Sequence, residues 1–197
     1  MTTPLPFTWP YCLVFWLIYV WVFIPEYRKF GRAVLSTPAP AEDRGSRPVV
    51  LAGFGLAIVA AFLLSFVAHQ ATLPGSRTAW FFIGVITLIF GGLLRRHCFR
   101  VLGTFFTGAV TIQADHRVIE SGAYRWVRHP SYSAALLIVL GIALCLGNWL
   151  SAVVSFAIAF LAYSYRAHVE EQALLSSLGP PYAQFMATRK RFIPFIY

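Results

Sequence analysis

Apolar runs alternate with short polar segments along the chain. Residues 9–24, 48–67 and 78–94 form three such runs, and a longer one covers 132–165 with an interruption at Gly147-Asn148. Because a bilayer core requires about twenty apolar residues and a Gly-Asn pair favours a turn, the long run divides into two helices. The pattern predicts five transmembrane helices. The last continues beyond residue 165 until Gly179-Pro180-Pro181 stops it.

The polar segments between these runs differ in kind. Residues 26–47 have the composition of a surface loop, whereas residues 69–77 contain Pro74-Gly75 and predict a tight turn that makes the second and third helices a hairpin. Residues 95–128 mix arginines with aromatic residues and glycines. They are too polar for a span and too apolar for a solvated loop. We expect them at the membrane surface, where they could line a cavity.

The amino-acid composition indicates which class of protein contains these helices. Hydrophobic residues make up 58% of the 197 residues and charged residues 12%, which is typical of a polytopic membrane protein. No basic residue precedes the first apolar run, so it is predicted to be a retained helix rather than a cleaved signal. We expect one all-α integral-membrane domain over 1–197, with three helices in 1–94 and the candidate chemistry in 95–197.

The distribution of positive charge predicts the orientation. Of the 16 Lys and Arg residues, all but Arg77 fall in the first loop, the third loop or the tail. The positive-inside rule then places the N-terminus outside and the third loop and tail in the cytoplasm. The net charge of +9 is explained by anionic membrane lipids rather than by nucleic acid. The three cysteines lack the spacing of a disulfide framework or a zinc site.

Most of the candidate chemistry lies in two stretches, the turn 122–132 and the helical segment 166–171. Pro130 lacks an N–H and biases His129 away from helical dihedral angles, so a helix is predicted to begin at Pro130. In the second stretch Arg166 and Glu170, four residues apart, share one helix face.

The adjacent carboxylates of Glu170 and Glu171 indicate a cationic partner, because carboxylates beside a span are costly unless they meet a cation. A metal is not favoured, since His168 does not stand at the four-residue spacing of a helical zinc site. For Arg125 and Trp126 the simpler interpretation is contact with lipid headgroups and an interfacial aromatic belt.

These stretches belong to a longer motif that resembles a known family. Its elements are Leu102-Gly103, Asp115-His116-x-Val118-Ile119-x-x-Gly122-x-Tyr124-x-x-x-Arg128-His129-Pro130-x-Tyr132, Arg166-x-x-x-Glu170-Glu171-x-x-Leu174, Gly179-x-x-Tyr182 and Arg191-x-x-Pro194. This order strongly resembles the isoprenylcysteine carboxyl methyltransferase family of integral-membrane enzymes. It is similar, less closely, to phospholipid N-methyltransferases. The resemblance covers residues 95–197; the first two helices match only in being apolar.

The resemblance implies S-adenosylmethionine as methyl donor and a lipophilic or lipid-linked acceptor, and the positive-inside rule places the active site on the cytoplasmic side. It implies a cofactor-binding set of His116, Arg117, Val118, Ile119, Tyr124, His129, Pro130, Ser131, Tyr132 and Glu170. It further implies that Arg166 binds the acceptor and that Arg166, Glu170 and Glu171 are the catalytic residues. A sulfonium suits a carboxylate such as Glu170, and aromatic rings suit adenine.

The nature of the acceptor stays open in the sequence. A carboxylate acceptor is already ionised near neutral pH and needs mainly alignment, which the guanidinium fork of Arg166 would provide. An amine acceptor would have to lose a proton, with Glu171 or His168 as the base. Two other classes are compatible with the helices: a membrane reductase that uses a nicotinamide cofactor, and a non-catalytic protein that keeps the scaffold.

Overall fold

The computed structural model describes residues 3–30, 40–105 and 117–194, and the regular secondary structure within these ranges is helical. The α-helices are α1 (Tyr11–Phe30), α2 (Ser46–Val67), α3 (Arg77–Leu102), α4 (Pro130–Leu146), α5 (Trp149–Leu178) and α6 (Pro180–Thr188). Short 3-10 turns occupy Leu5–Phe7, Ala41–Asp43, Gly103–Phe105 and Gly122–Arg125.

Three helical stretches are long and apolar enough to cross a membrane: Ser46–Val67, Arg77–Phe105 and Trp149–Leu178. Two shorter apolar stretches, Tyr11–Pro25 and Pro130–Leu146, accompany them. The prediction of an all-helical membrane fold is confirmed at this level. The count of five spans, their orientation and the two-part division of the chain stay predictions.

Small residues let the helices approach closely. α3 packs along α4, and α2 packs along α5. A Cβ atom on Gly141 of α4 would lie 2.7 Å from the backbone nitrogen of Leu88 in α3, and one on Gly84 would lie 2.5 Å from that of Cys145. Such backbone contact drives helix association in a membrane, where burial of apolar side chains contributes little.

Helix α1 is longer than predicted, because it continues through Pro25 to Phe30. Proline cannot donate to the carbonyl four residues earlier, which here belongs to Trp21. A guanidinium nitrogen of Arg96 in α3 donates to that carbonyl instead, and the Arg96 guanidinium lies over the Trp21 ring, 4.1 Å from its centroid. The predicted end of the first helix at residue 24 is therefore wrong.

Helix α3 also extends beyond its predicted end at residue 94. It continues through Arg95 and Arg96 to Leu102, and Gly103, at φ +54°, follows its last residue. The arginines are tolerated because both have partners on other helices, Arg95 on Ser131 and Arg96 on Trp21. Only the later part of the predicted surface segment lies outside this helix.

The predicted hairpin of α4 and α5 is confirmed, whereas α2 and α3 are joined by the 68–76 turn but pack on α5 and α4 rather than on each other. The turns of the two helix pairs meet. α4 ends at Leu146, and the Asn148 side chain caps α5 by accepting from the backbone N–H of Ser151 at 2.8 Å. The backbone of residues 71–73 bonds to that of 147–149 at 2.9 Å, and Asn148 Nδ2 donates to the carbonyl of Ala68 at 2.7 Å. Both turns therefore lie at the same end of the bundle, and the candidate chemistry lies at the other end.

Candidate functional site

The turn that precedes α4 is held by the C-terminal tail. Val127 and Lys190 form a parallel bridge. The backbone N–H of Arg128 donates to the carbonyl of Lys190 at 2.9 Å, and that of His129 donates to the carbonyl of Arg191 at 3.0 Å. α4 then begins at Pro130, as predicted. Because the tail follows α6, this pairing brings the end of α5 back to the turn.

Arg95 supports the first turn of α4 from α3. Its Nη1 donates to the Ser131 carbonyl at 2.8 Å and to Ser131 Oγ at 2.7 Å, and its guanidinium lies 4.9 Å from the centroid of the Phe99 ring. Arg95 and Ser131 are both buried. A contact of α3 thus orients a residue that the sequence assigns to the cofactor.

Glu171 is enclosed by the side chains of two arginines and a histidine. Only 2% of the residue is exposed. Its Oε1 lies 3.0 Å from His129 Nε2 and 2.9 Å from Arg128 Nε, and its Oε2 lies 2.5 Å from an Nη of Arg191. The Arg128 approach is an ion pair rather than a hydrogen bond, because Nε–H does not point at the oxygen. Glu171 therefore joins the turn, α5 and the tail at one point.

Glu170 has a different environment although it is the next residue. Its side chain is 32% exposed. Its Oε2 accepts a hydrogen bond from the Tyr132 hydroxyl and lies 3.8 Å from His129 Nδ1. The rings of His129 and Tyr132 stack at 5.1 Å with an interplanar angle of 6°. A partly open carboxylate thus lies beside two stacked rings.

Arg166 is buried one turn earlier on α5, between Tyr132 and the 3-10 turn at residues 41–43. Its Nε donates to the Tyr132 hydroxyl oxygen at 3.3 Å. Its Nη1 donates to Ser46 Oγ at 2.6 Å and to Oδ1 of Asp43, a fully buried carboxylate. The backbone N–H of Arg47 donates to the other oxygen of Asp43 at 2.8 Å.

His129, Tyr132, Arg166, Glu170 and Glu171 form a cluster of side chains. Two further phenols near this cluster are kept protonated. Burial, followed by the negative charge of Glu170 and Glu171, raises the pKa of Tyr182 on α6. Burial also raises the pKa of Tyr124 in the turn, with Glu170 among the smaller causes. Both residues therefore offer a hydroxyl donor throughout the neutral pH range.

The structure brings together five predicted site residues: His129, Tyr132, Arg166, Glu170 and Glu171. Pro130 and Ser131 lie directly beside them in the first turn of α4. Of the upstream set, Arg117 is exposed, Val118 and Ile119 are half-buried, and His116 lies outside the described residues. These roles stay predictions.

Several residues of the cluster were missed in the site assignment: Asp43, Ser46, Arg95, Arg128 and Arg191. Arg128 and Arg191 stand in the motif, but only their contact with Glu171 shows a position in the cluster. Asp43 had one sequence signal, as one of only seven acidic residues in a basic chain. Nothing in the sequence pairs it with Arg166, which is 123 positions away.

The cluster has the groups needed to bind a cation beside a flat aromatic ligand. Glu170 provides a partly exposed negative charge, and His129 and Tyr132 provide ring faces. Among the described residues, no group of three or more His, Cys, Asp or Glu side chains could hold a metal ion.

Comparison with known proteins gives matches to isoprenylcysteine carboxyl methyltransferases. Residues 82–176 match the family model described as the isoprenylcysteine carboxyl methyltransferase family. The chain is 27% identical over 138 residues to protein-S-isoprenylcysteine O-methyltransferase B of Arabidopsis thaliana, covering 68% of this chain and 70% of that protein. It is 30% identical over 116 residues to the protein-S-isoprenylcysteine O-methyltransferase of Saccharomyces cerevisiae, covering 58% and 48%.

A solved structure has a similar fold. It is the eukaryotic intramembrane Ras methyltransferase ICMT, matched with a TM-score of 0.64 and 21% identity over 93% of this chain and 67% of that one. At this identity the match supports the arrangement of the helices. The family match covers α4 and nearly all of α5, and therefore Tyr132, Arg166, Glu170 and Glu171.

Proposed function

We propose that the chain is a member of the isoprenylcysteine carboxyl methyltransferase family, whose model its residues 82–176 match, and that it transfers a methyl group from S-adenosylmethionine to the carboxylate of a prenylated cysteine. The observation that carries this proposal is the environment of Glu170. It is a partly exposed carboxylate beside the stacked rings of His129 and Tyr132, within the region that matches the family.

The residues present fit this cofactor. The bound donor supplies an electrophilic methyl group on a sulfonium cation. Glu170 would hold the positive charge, while Tyr132 fixes the carboxylate through its hydroxyl. His129, Pro130 and Ser131 would contact the donor from the first turn of α4. Tyr124 and the segment from His116 to Ile119 would form the remaining wall, as the resemblance implies.

Arg166 is the residue we assign to the acceptor. Its guanidinium binds the Asp43 carboxylate, and the acceptor carboxylate would have to share the guanidinium with Asp43. Methyl transfer to a carboxylate needs alignment rather than proton removal, because the acceptor is ionised near neutral pH. Glu171 is engaged by two arginines and a histidine, which suits a structural role better than that of a base.

We further propose that the protein crosses the membrane five times with this cluster on the cytoplasmic side. A prenyl chain could then enter from the lipid while the reacting carboxylate stays at the surface. The supporting observations are the charge distribution of the loops and the position of the cluster at the end of the bundle opposite the 68–76 turn.

Binding and turnover of the purified protein in detergent test this proposal. We expect calorimetry to detect S-adenosylmethionine and its demethylated product, and not a nicotinamide dinucleotide. Labelled methyl should then transfer to an N-acylated S-prenylcysteine but not to its methyl ester. Transfer to phosphatidylethanolamine instead would favour N-methylation, and binding of the dinucleotide alone would contradict the proposal.

A further inference from the structure

A chain of polar contacts runs from the 3-10 turn before α2 to the carboxylate of Glu170. Asp43 holds Nη1 of Arg166, Nε of Arg166 donates to the Tyr132 hydroxyl oxygen, and that hydroxyl donates to Glu170. The first link joins the turn to α5, and the other two join α5 to α4. The chain therefore connects Asp43, which lies within the 81 residues that precede the family match, to the proposed cofactor site.

Both carboxylate oxygens of Asp43 are held by hydrogen bonds. The residue has no exposed surface, and its second oxygen is fixed by the backbone N–H of Arg47 at 2.8 Å. Ser46 is also buried and offers its hydroxyl to the same guanidinium nitrogen at 2.6 Å. Arg166 is 5% exposed, so its charge is compensated within the protein rather than by solvent. Because these contacts fix Nη1 of a buried guanidinium, they also restrict the orientation of its Nε–H bond.

We infer that Asp43 is a positioning residue for methyl transfer, acting through Arg166 and Tyr132 on Glu170. With Arg166 held, its Nε–H bond occupies the acceptor side of the Tyr132 hydroxyl, so the hydroxyl proton points at Glu170. The Glu170 carboxylate is then oriented for a cation. This inference rests on the proposed function, because it assigns the cofactor sulfonium to Glu170.

The first test is the affinity for S-adenosylhomocysteine, the demethylated product, in calorimetry. Asp43→Asn removes the negative charge but keeps the shape of the side chain. Loss of a charge-assisted contact should weaken binding about tenfold or more. Glu42→Gln is the matched control, because Glu42 is an exposed carboxylate next to Asp43 in the same turn, and it should bind as the wild type does.

A double-mutant cycle separates positioning from a general effect on folding. Tyr132→Phe removes the hydroxyl that links Arg166 to Glu170, so Asp43→Asn added to it should weaken binding by less than about twofold more. Multiplying effects would overturn the inference, as would wild-type affinity in Asp43→Asn.

Ser46→Ala provides a second variant if Asp43→Asn does not fold. It removes a neutral contact to the same nitrogen and should weaken binding about two- to fivefold, with the same non-additivity toward Tyr132→Phe. Unchanged affinity in Ser46→Ala would then overturn the inference. If the wild type binds the ligand and these variants do too, the inference alone fails; if the wild type does not bind, the proposed function fails with it.

Discussion

Two adjacent carboxylates on α5 have opposite surroundings. Successive helical residues point about 100° apart, so Glu170 and Glu171 face different neighbours. Glu171 is buried among Arg128, His129 and Arg191, while Glu170 keeps a 32% exposed side chain beside Tyr132. Burial against two arginines and a histidine favours a structural role for Glu171. Partial exposure with one hydroxyl partner leaves Glu170 able to bind a ligand.

Replacing Glu170 should therefore affect ligand binding and not folding. Glu170→Gln removes the charge opposite the proposed sulfonium, and loss of one charge-assisted contact should weaken S-adenosylhomocysteine binding by about 1.5 to 3 kcal/mol, roughly ten- to a hundredfold. The midpoint of thermal unfolding should stay close to that of the wild type. Calorimetry and thermal unfolding measure the two effects, with Glu42→Gln as the control. Unchanged affinity would remove Glu170 from the cofactor site.

Replacing Glu171 should have the reverse effect. Glu171→Gln leaves the Arg128, His129 and Arg191 side chains without their shared carboxylate, and breaking a buried pair costs about 3 to 5 kcal/mol. We expect a clear fall in the thermal midpoint and in turnover together. If the variant were as stable as the wild type but lost activity in a pH-dependent manner, Glu171 would instead be the base that an amine acceptor requires.

At the scale of helices, the sequence predicts boundaries set by local chemistry and misses those set by distant contacts. Pro130, Gly147-Asn148 and Gly179 end or begin helices where predicted, because each acts on its own backbone. Pro25 does not end α1, since Arg96 satisfies the carbonyl that proline leaves free.

The candidate site follows the same division between local and distant contacts. Tyr132, Glu170 and Glu171 could be selected from two short stretches of the motif. Asp43 could not, because its partner Arg166 is 123 positions away and no local pattern joins them. The interior of the bundle presents the same problem: only the structure shows which glycines lie against another helix.

Helix packing provides a prediction at this scale. Gly141→Ala places a Cβ atom 2.7 Å from the Leu88 nitrogen and 2.9 Å from the Gly84 carbonyl, which are backbone atoms that cannot turn aside. Separating α3 from α4 should cost about 1 to 3 kcal/mol. Gly55→Ala is the control, because its Cβ meets nothing within 4 Å, and alanine there should be neutral or stabilising by up to about 1 kcal/mol. Thermal unfolding in detergent compares the two, and equal midpoints would contradict this packing.

At the scale of the whole molecule, the two ends of the bundle have different chemistry. One end carries the joined turns at 71–73 and 147–149, which are held by backbone bonds and Asn148. The other carries Arg166, Glu170, Glu171 and the tail. α2 has 22 residues, and at about 1.5 Å per residue it separates the two ends by roughly 33 Å, close to the thickness of a bilayer core.

This geometry makes the proposed orientation testable with single cysteines. Pro40 precedes α2 and Thr188 ends α6, both at the end of the bundle that carries the cluster. Pro74 lies at the opposite end, in the turn after α2. Pro74 and Thr188 are exposed. In sealed right-side-out vesicles, an impermeant thiol reagent should label Pro74→Cys from outside, while Pro40→Cys and Thr188→Cys should react only after permeabilisation. Cys12 is partly exposed, so it should first be replaced by serine, while Cys98 and Cys145 are buried.

Because fifteen of the sixteen basic residues fall on one side in this topology, the positive-inside rule requires that side to be the cytoplasm. Labelling of Pro40→Cys and Pro74→Cys from the same side would contradict the five-span topology, and labelling of Thr188→Cys from outside would place the cluster on the wrong face for a cytoplasmic methyl donor.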